Sequence, residues 1–270
     1  MSAKMHLIIL LLALAPSASG HDFWMEPERY RVTPGASVAV SLRVGERFVG
    51  DPVPRIDDWF ERFSTIDPEG EERQMEGTIG DEPAGTVTLH KPGLHALVYV
   101  STSAYAEMDI TKFSQYAQDE GVDHILRREL ALQEGGNPRV AREVFYRFAK
   151  SLVAVDPIAP GVKHHALEPV GLGFEIIPQQ DVIQGCAGEC GFVVRFDGTP
   201  LADALLVARS KSAPDQPLSV RTDAQGIGRI PLNATGEWLI KAVHLTPAPP
   251  GSGITQWLSF WAALTFAVQE

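Results

Sequence analysis

"SVAVSLRVG", residues 37–45, sets Val38, Val40, Leu42 and Val44 at every second position. A period of two lines those side chains along one face of an extended strand, whereas a helix would scatter them. The same pattern continues outward. "RFSTIDPEG" (62–70) runs into an Asp-Pro-Glu-Gly turn at 67–70, and "TVTLHKPGLHALVYVS" (86–101) reads as two strands joined at Pro92-Gly93. Short alternating runs bounded by Pro and Gly predict an antiparallel β-sandwich over residues 21–104.

The period changes after residue 104. Phe113, Tyr116 and Ala117 are spaced by three and four, as are Ile125, Leu126 and Leu130, and Phe145, Phe148 and Ala149. Gly121, Gly135-Gly136 and Pro138 punctuate them. This predicts a helical insert over 105–150, a packing element or lid whose charges form a solvated face. Residues 151–180, with four prolines, read as a connecting strand and loop. From 181 to 270 the period of two returns in "GFVVRFDGTPLADALLVARS", "LSVRTDAQGIGRIPL" and "GEWLIKAVHL". "FWAALTFAVQE" reads as a last buried strand. Asp223 belongs to a turn, since five residues offer calcium too few oxygens. The expected architecture is mainly β, two sandwiches with a short helical insert.

Residues 1–20 read as a signal peptide. Met1 and Lys4 supply positive charge, Leu7 to Ala15 form a short apolar run, and Ala18-Ser19-Gly20 is a small-residue cleavage site. An uncleaved anchor is the alternative, but the run falls well short of the roughly 20 residues a membrane span needs. Cleavage after Gly20 would make His21 the first residue of a soluble, periplasmic chain that does not span the membrane. The 270 residues carry 34 Asp+Glu against 23 Lys+Arg, a formal −11. That acidity disfavours nucleic acid and anionic lipid as partners. It is compatible with metal cations.

Cys186 and Cys190 are the two cysteines, in "GCAGECG". Export permits pairing, and the glycines permit the turn that brings the two within reach. A local disulfide is the expected state; free thiols and a soft-metal site are the alternatives.

"HDFWMEP" after a signal peptide, "RVGERFVGDPVPR", "KFSQYAQDEG", "VGLGFEIIPQ", "FDGTPLADALLVA" and "WAALTF" together resemble the bacterial periplasmic domain-of-unknown-function 4198 family. The resemblance extends over most of the chain after residue 20, the "GCAGECG" loop excepted. It implies a periplasmic component associated with nickel and cobalt uptake, and so a membrane metal-uptake complex as partner. Residues 197–245 also resemble the transthyretin-like or carboxypeptidase-regulatory sandwich, and the expected form of the two sandwiches is Ig-like or transthyretin-like.

A free N-terminal histidine has a particular chemistry. The α-amine and ring Nδ1 of His21 can close one chelate ring, and a further imidazole completes a set suited to Cu(II) and possible for Ni(II). Asp22 could add a carboxylate or a supporting acceptor. The alternative is that cleavage merely leaves His21 first, before strand residues Phe23 and Trp24. His244 is the expected second ligand: Trp238, Ile240, Ala242 and His244 share one face of a strand, so an inward imidazole needs a hydrogen bond or a metal. A core histidine is the other reading of it. His95, opposite in parity to Leu94, Ala96 and Val98, is a third candidate and alternatively an exposed strand residue. His90, His164, His165 and His124 are weaker candidates.

The sequence has no HExxH helix, no G-x-S-x-G elbow and no phosphate loop, so the chain reads as a non-enzyme. The expected function is periplasmic binding of a divalent transition metal (nickel, cobalt or copper) as an accessory to uptake or trafficking. Two alternatives stand beside it, a copper-dependent redox enzyme using the N-terminal chelate and a metal-free structural or interaction module.

Overall fold

The computed structural model describes residues 22–132, 138–158, 164–232 and 234–269. Its first part folds as β1 (Asp22–Pro27), β2 (Arg31–Val32), β3 (Ala36–Glu46), β4 (Val49–Val53), β5 (Phe60–Ile66), β6 (Glu72–Gln74), β7 (Gly85–Leu89) and β8 (Gly93–Ser101). Val38, Val40 and Leu42 of β3 are buried, as a period of two requires. The two strands around Pro92-Gly93 form, but in different layers: β7 pairs with β3 and β8 with β5. Gly93 makes that crossing at φ +130°, where a Cβ would lie 2.7 Å from the Pro68 ring.

The next strand, β9 (Ala104–Asp109), leads into α1 (Ile110–Asp119) and α2 (Asp123–Leu132). Asp109 caps α1 by accepting from the Thr111 N–H, and Gly121 turns the chain at φ +70°. Phe113, Tyr116 and Ala117 are buried, as their spacing predicts. The helices stop at Leu132, however, and do not extend to residue 150. β10 (Val140–Val155) takes Phe145, Phe148 and Ala149 into a 16-residue strand. The sequence misleads there because β10 is covered on both faces. Apolar residues then occupy both parities, and spacings of three and four arise without a helix.

The remaining strands are β11 (Phe174–Pro178), β12 (Cys190–Phe196), β13 (Thr199–Pro200), β14 (Leu205–Ser210), β15 (Leu218–Arg221), β16 (Ile227–Ile230), β17 (Gly236–Pro247) and β18 (Trp257–Val268). A ten-stranded sheet in the order β15-β14-β17-β18-β10-β8-β5-β6, with β2 and β9 also on β10, forms the middle layer. On one face lies the four-stranded sheet β1-β3-β4 with β7, and beside it the two helices. On the other lies the four-stranded sheet β11-β12-β13 with β16. Odd-numbered β10 residues Ala149 and Val153 join the first core with Trp24, Met25 and Val40. Even-numbered Phe148 and Leu152 join the second with Phe174, Phe192 and Ile240. The helices make a third core, in which Phe113 and Tyr116 pack on Trp257 and Trp261 of β18.

Both sandwiches are therefore present, but they share one sheet rather than standing apart. The join is parallel, Glu143–Ser151 of β10 running beside Trp257–Thr265 of β18. Neighbours within each half are antiparallel, apart from the short β2 on β10. Among the described residues no helix is long and apolar enough to cross a membrane.

Two polar features lie in or beside the second core. Lys150 of β10 and Glu175 of β11, 1% and 2% exposed, pair at 2.8 Å. The same carboxylate accepts from the Val170 N–H at 3.0 Å and the Leu172 N–H at 3.3 Å, tying down the segment that enters β11. Cys186 and Cys190 are bonded, their Cα atoms 5.4 Å apart across a turn with Gly185 and Gly188 at positive φ. A ring this small restricts the unfolded chain little, so replacing both cysteines by serine should cost only about 2 kcal/mol. Urea denaturation of the two forms measures this; a loss of twice that size would mean the loop also depends on the bond in the folded state.

Candidate functional site

His21 lies outside the described residues. His244 sits where its parity placed it, in β17 on the face of Trp238, Ile240 and Ala242. Its ring meets Phe196 at 4.6 Å, Phe174 at 6.1 Å and Phe260 at 6.3 Å between centroids. Burial pulls its pKa below the ordinary histidine value, which favours a neutral ring in an aromatic setting. His95 is buried rather than exposed, because the central sheet is covered on both faces. Its Nε2–H donates to the Lys91 carbonyl at 2.8 Å while Nδ1 finds no partner, and burial lowers its pKa as well.

The other histidines are dispersed. His164 is buried and accepts at Nδ1 from the Leu94 N–H at 3.3 Å, His165 packs on Gly70, and His124 lies 3.9 Å from Asp203. Among the described residues no group of three or more His, Cys, Asp or Glu side chains is set to hold a metal. His244 and His95 do not meet.

A different cluster forms where β1 begins. Lys241, one position past Ile240, points to the opposite face of β17 from His244. Its Nζ donates to Asp22 Oδ1 at 2.6 Å and to Glu120 Oε1 at 2.7 Å. Asp22 is the first residue of β1 and Glu120 follows the last turn of α1, so three distant segments meet on one ammonium. Both carboxylates are buried. Burial works against the Lys241 charge, yet Glu120 and Asp22 hold its pKa above the ordinary lysine value. Burial also lifts the Glu120 carboxyl against the pull of Lys241.

Further under α1, buried Glu143 accepts from the Ser259 hydroxyl, and burial raises its pKa. Tyr116 is pushed well above the ordinary tyrosine value by burial and by Glu143 and Glu120 nearby. The region is acidic and dry, with Lys241 as its cation. His244 and Asp22, the residue joined to His21, thus lie on opposite faces of the central sheet. One signal in the sequence pointed here: Lys241 interrupts an apolar strand whose two faces are both buried.

The sequence model of a family described as a domain of unknown function (DUF4198) matches residues 18–246. This chain belongs to that family. The matched DUF4198 span contains Asp22, Glu120 and Lys241 together, and it ends inside β17. No curated protein matches the chain. Solved structures that align with this DUF4198 protein include a tetra-tandem repeat in the extending region of a large adhesion protein. That alignment has 8% identity over 93% of this chain and 50% of that one, with a TM-score of 0.22. The protein spans half of the length of that repeat structure. A two-domain fibronectin type III segment of chicken tenascin aligns at 10% identity over 88% and 95% of the two chains, TM-score 0.19. The D0-D1 domain of intimin aligns at 12% identity over 91% and 97%, TM-score 0.20.

Proposed function

We propose that this protein is an exported, periplasmic metal-binding accessory to metal uptake or trafficking. Cut after Gly20, the chain begins at His21, whose α-amine and imidazole Nδ1 chelate one divalent transition ion. Nickel or cobalt is what the family resemblance implies, with a membrane uptake complex as recipient; copper is what an amine–imidazole pair suits chemically. The observation that carries the reading is Asp22. Its buried carboxylate is held by Lys241 at 2.6 Å, so the residue bonded to His21 is anchored beside a second buried carboxylate, Glu120. Asp22 and Glu120 therefore replace His244, across the sheet, as the groups that support the chelate.

Titration of the metal-free protein with Cu(II), Ni(II) and Co(II) tests this. Both nitrogens must be deprotonated, so affinity should fall as pH drops below about 8, and more steeply below about 6.5. One residue added before His21 turns the amine into an amide, and should weaken binding by more than about tenfold. His244→Ala should bind like the unaltered protein. A mature N-terminus other than His21, or an extended form that binds unchanged, would overturn the proposal.

A further inference from the structure

A cavity of about 250 Å³ opens between the sheet of β1, β3, β4 and β7 and the central sheet. Its walls are mostly apolar, with Phe23, Tyr99, Phe145 and the half-exposed Trp59 around it. Its polar lining is the hydroxyl residues Ser101, Thr102 and Ser103 and one cation, Arg147, which enters from the odd-numbered face of β10. Its guanidinium lies 5.1 Å from the centroid of Phe23 and 5.0 Å from that of Phe145, within cation–π range. Among the described residues no carboxylate pairs with it, and no acceptor takes its side-chain N–H groups.

This is unusual in so acidic a chain, where most other arginines are paired with carboxylates, Arg43 with Glu26 and Arg62 with Glu72 among them. A partly buried cation without a counterion costs stability unless something outside the chain compensates it. Burial pulls the Arg147 pKa down, though arginine stays charged at any physiological pH. Beside it the Ser101 hydroxyl accepts from the Arg147 backbone N–H at 2.8 Å, which leaves its own O–H free to donate into the cavity. No acidic side chain lines the walls.

The geometry points to a binding site for a small monocarboxylate with an apolar or aromatic body. The carboxylate would take the Arg147 fork and the Ser101 hydroxyl, and its body would lie among the aromatic rings. One cation and neutral hydroxyls match a single negative charge, and a phosphate dianion would be left under-compensated. The volume lies below the roughly 300–1,000 Å³ of pockets for drug-sized ligands, which limits the body to about one ring. The site does not depend on metal binding at His21.

The probe pair is phenylacetate and its neutral isostere phenylacetamide, titrated by calorimetry and by the fluorescence change at Trp59. Phenylacetate should bind at one site per chain, with the amide weaker by at least about tenfold. Arg147→Met should lose carboxylate binding by a similar factor while the melting temperature stays level or rises, since no carboxylate or hydrogen-bond acceptor loses a partner and the methionine still packs between Phe23 and Phe145. If Arg147 instead served only to staple Phe23 to Phe145, Arg147→Met would lower the melting temperature and the acid would show no advantage over the amide. Equal binding of acid and amide to the unaltered protein, or no binding of either, would overturn the proposal. That comparison needs no variant to fold.

Discussion

Replacing Lys241 by methionine should destabilise the protein by about 3–5 kcal/mol near neutral pH, the range seen when one partner of a buried ion pair is removed. The Lys241 side chain is 13% exposed, and the Asp22 and Glu120 side chains it holds are each 6% exposed. Without it, Asp22 and Glu120 face one another with no compensating charge. The Glu120 carboxyl is already raised by burial and would rise further. The sign follows: a carboxyl with a raised folded pKa adds stability below its unfolded value, and loses it as pH climbs through the folded one. The defect should therefore be smaller at pH 5 than at pH 8. Adding Glu120→Gln to Lys241→Met should recover much of the loss at pH 8. Urea unfolding at the two pH values measures both effects, and a Lys241→Met protein equally stable at each would show that the cluster carries no such energy.

Glu175→Ala should be at least as damaging, at the upper end of about 3–5 kcal/mol, because three donors lose one acceptor. Lys150 Nζ and the Val170 and Leu172 N–H groups all give to that carboxylate. Burial already pulls the Lys150 pKa down even with Glu175 alongside, so an unpaired ammonium there would be strongly disfavoured. Lys150→Met should be milder, since Glu175 keeps its two backbone donors. Lys150→Met combined with Glu175→Gln should lie nearer the parent than Glu175→Ala alone. Chemical denaturation of the four proteins gives the order. A Glu175→Ala loss no larger than that of Lys150→Met would mean that the backbone donors find other partners, and that the bonds to Val170 and Leu172 add nothing.

Residues 37–45 disclose a strand because β3 has an uneven environment, and Val38, Val40 and Leu42 turn to the same core. The parity of His244 was legible for the same reason. What covers that face was not, because Phe174 and Phe196 come from segments that the strand itself does not specify. β10 was illegible in a deeper sense. With both faces buried its periodicity vanishes, and the helices just before it invite the wrong extension. Arg147 and Lys241 were overlooked as functional candidates because their surroundings come from remote parts of the chain. Arg147 lies between Phe23 and Phe145, and Lys241 joins Asp22 to Glu120. A charged residue in a strand with two covered faces is the trace that such sites leave in a sequence.

The parallel seam has a consequence for the order of events during synthesis. β10 emerges from the ribosome long before β18, the strand that covers its edge over Glu143–Ser151. Until Trp257–Thr265 is available, a nascent chain has open hydrogen-bonding edges in the middle of its largest sheet, on β10 and on β17 alike. Contacts so distant in sequence form slowly, and they cannot form at all before β18 is made. The two halves thus cannot mature one after the other as beads on a string. β18 works as a latch, and the middle layer is complete only when that strand arrives between β10 and β17.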